Sequence, residues 1–162
     1  MEEKALFTIG VFAGIFDSNG NLLLTRRDEE PYIGKWELPG EAIKRRHAIN
    51  SEILIKLVLY KAVKTKTGID ILDQVQKMPA MYPAIYNNDI ALAVIVGQTK
   101  QAPTKGETSF VDVETLCMLA YNKELISGKG RTYRMCLRMF ASRDCPNEEY
   151  RKQASSTLSS IL

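Results

Sequence analysis

Histidine is nearly absent from this chain. His47 is the one histidine in 162 residues, which excludes a metal site built from several histidines of one chain. Cysteine is scarce as well. Cys117, Cys136 and Cys145 are an odd count without CxxC spacing, which argues against a disulfide framework or a zinc site. Reduced thiols are the simplest reading, and a cytoplasmic location is expected. No stretch approaches the ~18–20 apolar residues of a membrane span, so no membrane partner is expected. The opening, MEEKALFTIG, carries two acids and no long apolar run, unlike a signal peptide. A strong charge of one sign is also missing. The formal net charge of +3 is too small to argue for nucleic acid by itself, and nucleic acid is not an expected partner.

The apolar share, 45%, is enough for a real core. From Leu6 to Phe16 the chain reads LFTIGVFAGIF. Val11 and Ile15 fall on one face at period two and Phe12 and Phe16 on the other, as in a strand buried on both sides. Gly10 and Gly14 leave room for another backbone. DSNGN then predicts a hairpin turn at Asn19-Gly20, both residues tolerating positive φ. NLLLTRR is the returning strand, and RRDEEPYIGKWELPG a punctuated loop. A helix is predicted from about Ser51 to Thr67, capped by Asn50 or Ser51 and stopped at Gly68 in the left-handed region. One or two strands follow before the apolar strand DIALAVIVGQ, which should be central. TSFVDV reads as a short strand, VETLCMLAYNKELI as a helix, and GRTYRMCLRMFAS as a helix with Tyr133, Cys136, Leu137 and Phe140 on one face. Residues 1–142 are expected to form one domain, and 143–162 a helical tail, marginal as a helix or partly mobile.

The order hairpin, loop, helix, strands, helix, helix predicts a mixed α/β sandwich. This order, with the approach GKWELPG and a helix ending in Gly68-Ile69, resembles the Nudix hydrolase superfamily over roughly Ala5 to Leu125. The resemblance implies an α/β/α sandwich with a mixed, curved sheet, here with a C-terminal helical extension. It also implies a signature, G-x5-E-x7-R-E-U-x-E-E-x-G-U, with U aliphatic. Glutamates at i, i+3 and i+4 share one helix face in that signature. They hold Mg²⁺ or Mn²⁺, hard cations that prefer oxygen ligands, and the metals activate water against a diphosphate.

Aligned on Gly68-Ile69, the family's arginine falls on Lys61, and its next three glutamates fall on Ala62, Thr65 and Lys66. The second glycine of its Pro-Gly-Gly falls on Glu41. The segment from Glu41 to Gly68 is about two helical turns longer than the pattern. Val63, Gly68 and Ile69 keep the structural part of the box. Between Gly40 and Gly68 the only acids are Glu41 and Glu52, against seven Lys or Arg, so no register pairs two carboxylates on this helix. Stepping back from Lys66, Ala62, Leu59 or Val58 and Ile55 make apolar the face that, by the resemblance, would hold metals. Ile53, Leu54, Leu57 and Val58 are expected to form the core stripe on the other side.

Two readings follow. The first is a Nudix-fold protein that does not catalyse metal-dependent pyrophosphate hydrolysis. It would bind a nucleotide-like or phosphorylated ligand, or act as an interaction or regulatory module, as a homodimer and with no cofactor. The second is a hydrolase of a nucleoside diphosphate derivative, using Mg²⁺ or Mn²⁺ on relocated acids: Glu37, Glu41, Glu52 and Glu107. For ligand binding the candidates are Arg26, Arg27, Trp36 and Lys66. Strand alternation points only one of the two arginines inward. Trp36 and Tyr32 offer faces for a base. Lys66 is either a solvated lysine favoured by the helix dipole or a cation standing where a metal stood and pairing with phosphate. KRRH at 44–47 reads as a solvated loop. SGKGR, Ser127 to Arg131, combines glycines and cations but lacks the P-loop spacing and reads as an interhelix loop.

Overall fold

The computed structural model describes residues 8–43, 52–77, 81–86 and 89–161. The basic run Lys44–His47 and the capping pair Asn50 and Ser51 lie outside them. One mixed sheet carries seven strands in the order β3-β2-β1-β6-β5, with β4 against β1 and β7 against β2. These are β1 (Thr8–Phe16), β2 (Leu22–Arg26), β3 (Trp36–Glu37), β4 (Gly40–Ile43), β5 (Met81–Tyr86), β6 (Asp89–Gln98) and β7 (Thr108–Val111). The helices are α1 (Glu52–Thr67), α2 (Leu72–Gln76), α3 (Val113–Tyr121), α4 (Arg131–Ala141) and α5 (Glu148–Ile161).

β6 is interior, as its apolar sequence predicts, and runs parallel to β1. β1 and β2 pair only at Phe16 and Leu22, beside their turn. Beyond it they part: β4 takes the other half of β1, while β3 and β7 take β2. The turn is tied by Asp17, whose Oδ1 accepts from the N–H groups of Asn19 and Asn21, each at 2.9 Å. Only Gly20 takes a positive φ there, +83°, so the turn asks less of Asn19 than the Asn-Gly pair suggests.

The strand alternation sorts the core to two sides. Val11, Ala13 and Ile15 of β1 pack with Ile55, Leu59 and Val63 of α1. Phe16, Leu22 and Leu24 pack with Leu137, Met139 and Phe140 of α4. Each fully buried side chain of this size contributes roughly 1.5–3 kcal/mol relative to exposure. The glycines of β1 behave differently from expectation. A Cβ at Gly14 would lie 2.7 Å from the Met139 sulfur and one at Gly10 2.7 Å from the Phe12 ring, so side chains, not backbone, use that room.

α1 departs from the expected stripe at Ile53 and Leu57, while Val58 packs against the core as expected and the side chain of Leu54 lies outside the described residues. Ile55, Leu59, Ala62 and Val63 are buried, whereas Ile53 is 78% exposed and Leu57 46% exposed. Residues two apart on a helix point ~200° apart, so seating Ile55 and Leu59 on β1 turns Ile53 and Leu57 outward. The helix ends as its sequence predicts. Gly68 has φ +78°, and its N–H donates to Lys64 O at 2.9 Å.

α5 lies on α4 and on the first hairpin. Tyr150 meets Phe140 edge-on at 5.9 Å, and Ala154 is fully buried. Asn147 Oδ1 accepts from Tyr150 N–H at 3.1 Å, a capping bond, and its Nδ2 donates to Asn19 O at 2.9 Å.

Candidate functional site

A cleft opens where β2 leaves β1. Its floor is set by WELPG. Leu38 is fully buried, and Ala13 N–H donates to Pro39 O at 2.8 Å. Gly40 pairs with Phe12 so closely that a Cβ there would sit 2.1 Å from Val11 O. This close approach requires glycine.

The cleft has two lobes, of about 360 Å³ and about 420 Å³. Arg27, Glu29, Glu37 and Lys66 line both. Arg26, Thr65 and Glu107 belong to the first lobe. Phe12, Tyr32, Glu41, Ile126 and Arg131 belong to the second. Trp36 lines neither. Trp36 packs instead against the α4-side core, and for Glu52 the description stops at its place at the start of α1.

The charges of the shared floor are interlocked. Glu37 is buried, and the Arg27 guanidinium reaches its two oxygens at 3.3 and 3.5 Å. Burial pushes the Glu37 carboxyl above its ordinary range, against the opposing pull of Arg27 and then Lys66. Lys66, in the last turn of α1, donates its ammonium to Gly40 O. It is half-buried and held by the glycine loop rather than loose in solvent. On its helix Ala62 is buried and Thr65 exposed. At the rim, Arg26 donates Nε to Gly34 O at 2.9 Å, pairs with Glu107 at 2.9 Å and sits 5.9 Å over the Trp36 ring. Both arginines therefore reach the cleft: Arg26 ends β2, and Arg27 lies just past it, where alternation no longer governs direction.

Arg131 is the site residue that sequence reading passed over, although it closes the segment SGKGR. It opens α4 and lines the second lobe. Its Nε is buried, and among the described residues it has no hydrogen-bond partner. A buried donor without an acceptor is costly. Among the described residues no group of three or more His, Cys, Asp or Glu is placed to hold a metal ion.

No protein-family model matches the chain, and no curated protein matches it in sequence. Solved structures do. The MutT protein of Methanosarcina mazei Go1 superposes with TM-score 0.61 at 20% identity, over 85% of this chain and 96% of that one. DR0079 of Deinococcus radiodurans gives 0.58 at 13% identity, over 82% and 83%. The E. coli ORF135 protein gives 0.51 at 14%, over 85% and 93%. The chain has the MutT/Nudix fold. At these identities the likeness speaks for the fold alone.

Proposed function

We propose that this protein binds a phosphorylated, nucleotide-like ligand in the cleft and does so without a metal-dependent hydrolytic step. The observation that carries the reading is the set of cations around the shared floor. Arg27 and Lys66 line both lobes, and Arg131 Nε lacks an acceptor. Lys66 supplies a fixed positive charge at a place where the family pattern has a carboxylate. It needs no metal to meet a phosphate, because an ammonium bonds one directly.

The test is a turnover assay on a panel of nucleoside diphosphate derivatives with Mg²⁺ and Mn²⁺ in turn, beside Glu52→Gln and Glu107→Gln. The expected result is no product, together with a rise in melting temperature on adding ADP in EDTA. Metal-dependent turnover that disappears in one of the variants would contradict the reading.

One observation favours the hydrolase alternative. Glu37 is a buried acid with a raised pKa in the cleft, a setting that suits proton transfer. Glu41 shares its second lobe and Glu107 its first. Turnover abolished by Glu37→Gln would establish it.

A homodimer belongs to the same proposal. Ile53 and Leu57 form an outward apolar pair one turn apart on α1. Light scattering should give about twice the 18.2 kDa of one chain, and Ile53→Glu should halve it. A wild-type monomer at micromolar concentration would remove the dimer from the account.

A further inference from the structure

On the far side of Tyr32 from the cleft lies a second depression, of about 590 Å³, between the loop before β3 and the connection from α3 to α4. Its lining holds two tyrosines, Tyr32 and Tyr121, three lysines, Lys35, Lys123 and Lys129, and no carboxylate. The tyrosines are 59% and 73% exposed, an unusual cost for large rings with an apolar face. Lys129 stands 5.0 Å over the Tyr121 ring.

The backbone of this cradle is strained. Tyr32, Lys123 and Ser127 have φ of 71°, 58° and 63°, and they are the non-glycine residues of positive φ in the described chain. All three line the cradle. Residues other than glycine in this region cost of order 1–3 kcal/mol each, and persist only where surrounding contacts fix them. Those contacts are present. Trp36 N–H donates to Glu124 O at 2.8 Å, Ile126 N–H donates to Trp36 O at 2.9 Å, and the Lys35 ammonium donates to Lys123 O. The positive φ of Lys123 belongs to the end of α3, where Lys123 N–H donates to Ala120 O at 3.2 Å and Glu124 N–H to Leu119 O at 2.8 Å, a Schellman arrangement. The bracing holds the two aromatic faces and the lysines in fixed relation.

We propose that this cradle is a second binding site, separate from the cleft, for a nucleobase that carries a phosphate. The ring stacks on Tyr121 or Tyr32 and the phosphate meets the lysines, which face no carboxylate within the lining. Stacking of a base on an aromatic side chain tolerates any base, so the site selects for the class and not for one nucleotide. The same chemistry comes from a free mononucleotide or from the phosphorylated end of a strand.

The test is a titration of AMP into isotope-labelled protein, followed by the amide resonances of residues 121–129. Wild-type resonances should shift and saturate. Tyr121→Ala, which removes an exposed ring and leaves the core intact, should weaken this binding at least about fivefold. Lys66→Ala, which alters only the cleft, should leave it unchanged. Adenosine and ribose 5-phosphate should each bind less tightly than AMP. A 5′-phosphorylated adenosine tetramer that binds more tightly than AMP supports a strand end as the natural source, and equal affinity supports the free mononucleotide. Resonances of 121–129 that stay still in the wild type, or move with the same affinity in Tyr121→Ala, overturn the proposal. Neither result touches the cleft reading, which turns on Lys66 and Arg131.

Discussion

The cleft and the cradle meet at Tyr32, which lines both, and they treat charge in opposite ways. In the cleft the cations are mostly answered from within: Arg27 by Glu37, Arg26 by Glu107, and Lys66 by Gly40 O. In the cradle the lysines face tyrosines and backbone carbonyls, with no acid in the lining. A pre-neutralised pocket binds an anion by exchanging partners, so its affinity depends on which internal pair yields. An unneutralised surface attracts anions directly and weakens as salt rises. The two sites should therefore separate under mutation, pH and ionic strength.

The largest effect should come from breaking the cleft floor. A methyl at Gly40 would lie 2.1 Å from Val11 O and 2.8 Å from Phe12 Cα, both backbone. Gly40→Ala should cost about 3 kcal/mol or more, seen as a fall in melting temperature of roughly 6 °C or more. An unchanged melt would mean that β4 is free to move away from β1.

Next comes Lys66→Ala, read by calorimetry with pyrophosphate, which has no ring to stack. Loss of a charge-assisted hydrogen bond should weaken binding about tenfold or more. Tyr121→Ala should leave pyrophosphate binding unaltered. Equal losses in both variants would erase the distinction between the sites.

Glu37 gives a smaller, pH-dependent effect. Its carboxyl is raised by burial in the folded protein, so the native state keeps a proton that the unfolded chain has released. Stability then falls as pH rises through the window from the ordinary glutamate value to the raised one. Glu37→Gln has no such proton. Thermal melts from about pH 4 to about pH 8 should show the wild type losing ground to the variant over that window. Pyrophosphate affinity should follow the same course, because ionised Glu37 offsets Arg27 and Lys66. Parallel pH profiles for the two proteins would refute the assignment. The smallest effect belongs to Arg26→Ala. Arg26 and Glu107 side chains are 43% and 61% exposed, and such a pair is worth ~0–1 kcal/mol.

The fold was legible because its signals are local. The apolar alternation of β1, the run of β6, and the glycine that stops α1 each depend on a few neighbouring residues. The face of α1 was not legible. Its sequence is apolar nearly all round, so which stripe is buried is decided by packing on β1, and Ile53 and Leu57 turned outward rather than inward. The same limit applies to the cleft. Arg27, Glu37 and Lys66 stand in or beside recognisable motifs, whereas Arg131 is the first residue of α4 and its only sequence mark was SGKGR. Its position depends on how α4 docks, which no local pattern encodes. Trp36 shows the converse. An aromatic beside a suggestive motif went to the core side.

The most direct measurement is a calorimetric titration of ADP into the protein in EDTA, repeated with excess Mg²⁺ while AMP formation is followed. The account predicts saturable binding without metal, reduced in Lys66→Ala to the share that the cradle takes, and no AMP in either condition. Binding that appears only with Mg²⁺ and is accompanied by AMP release would mean that relocated carboxylates hold a metal, and that Lys66 is not the cation that meets the phosphate.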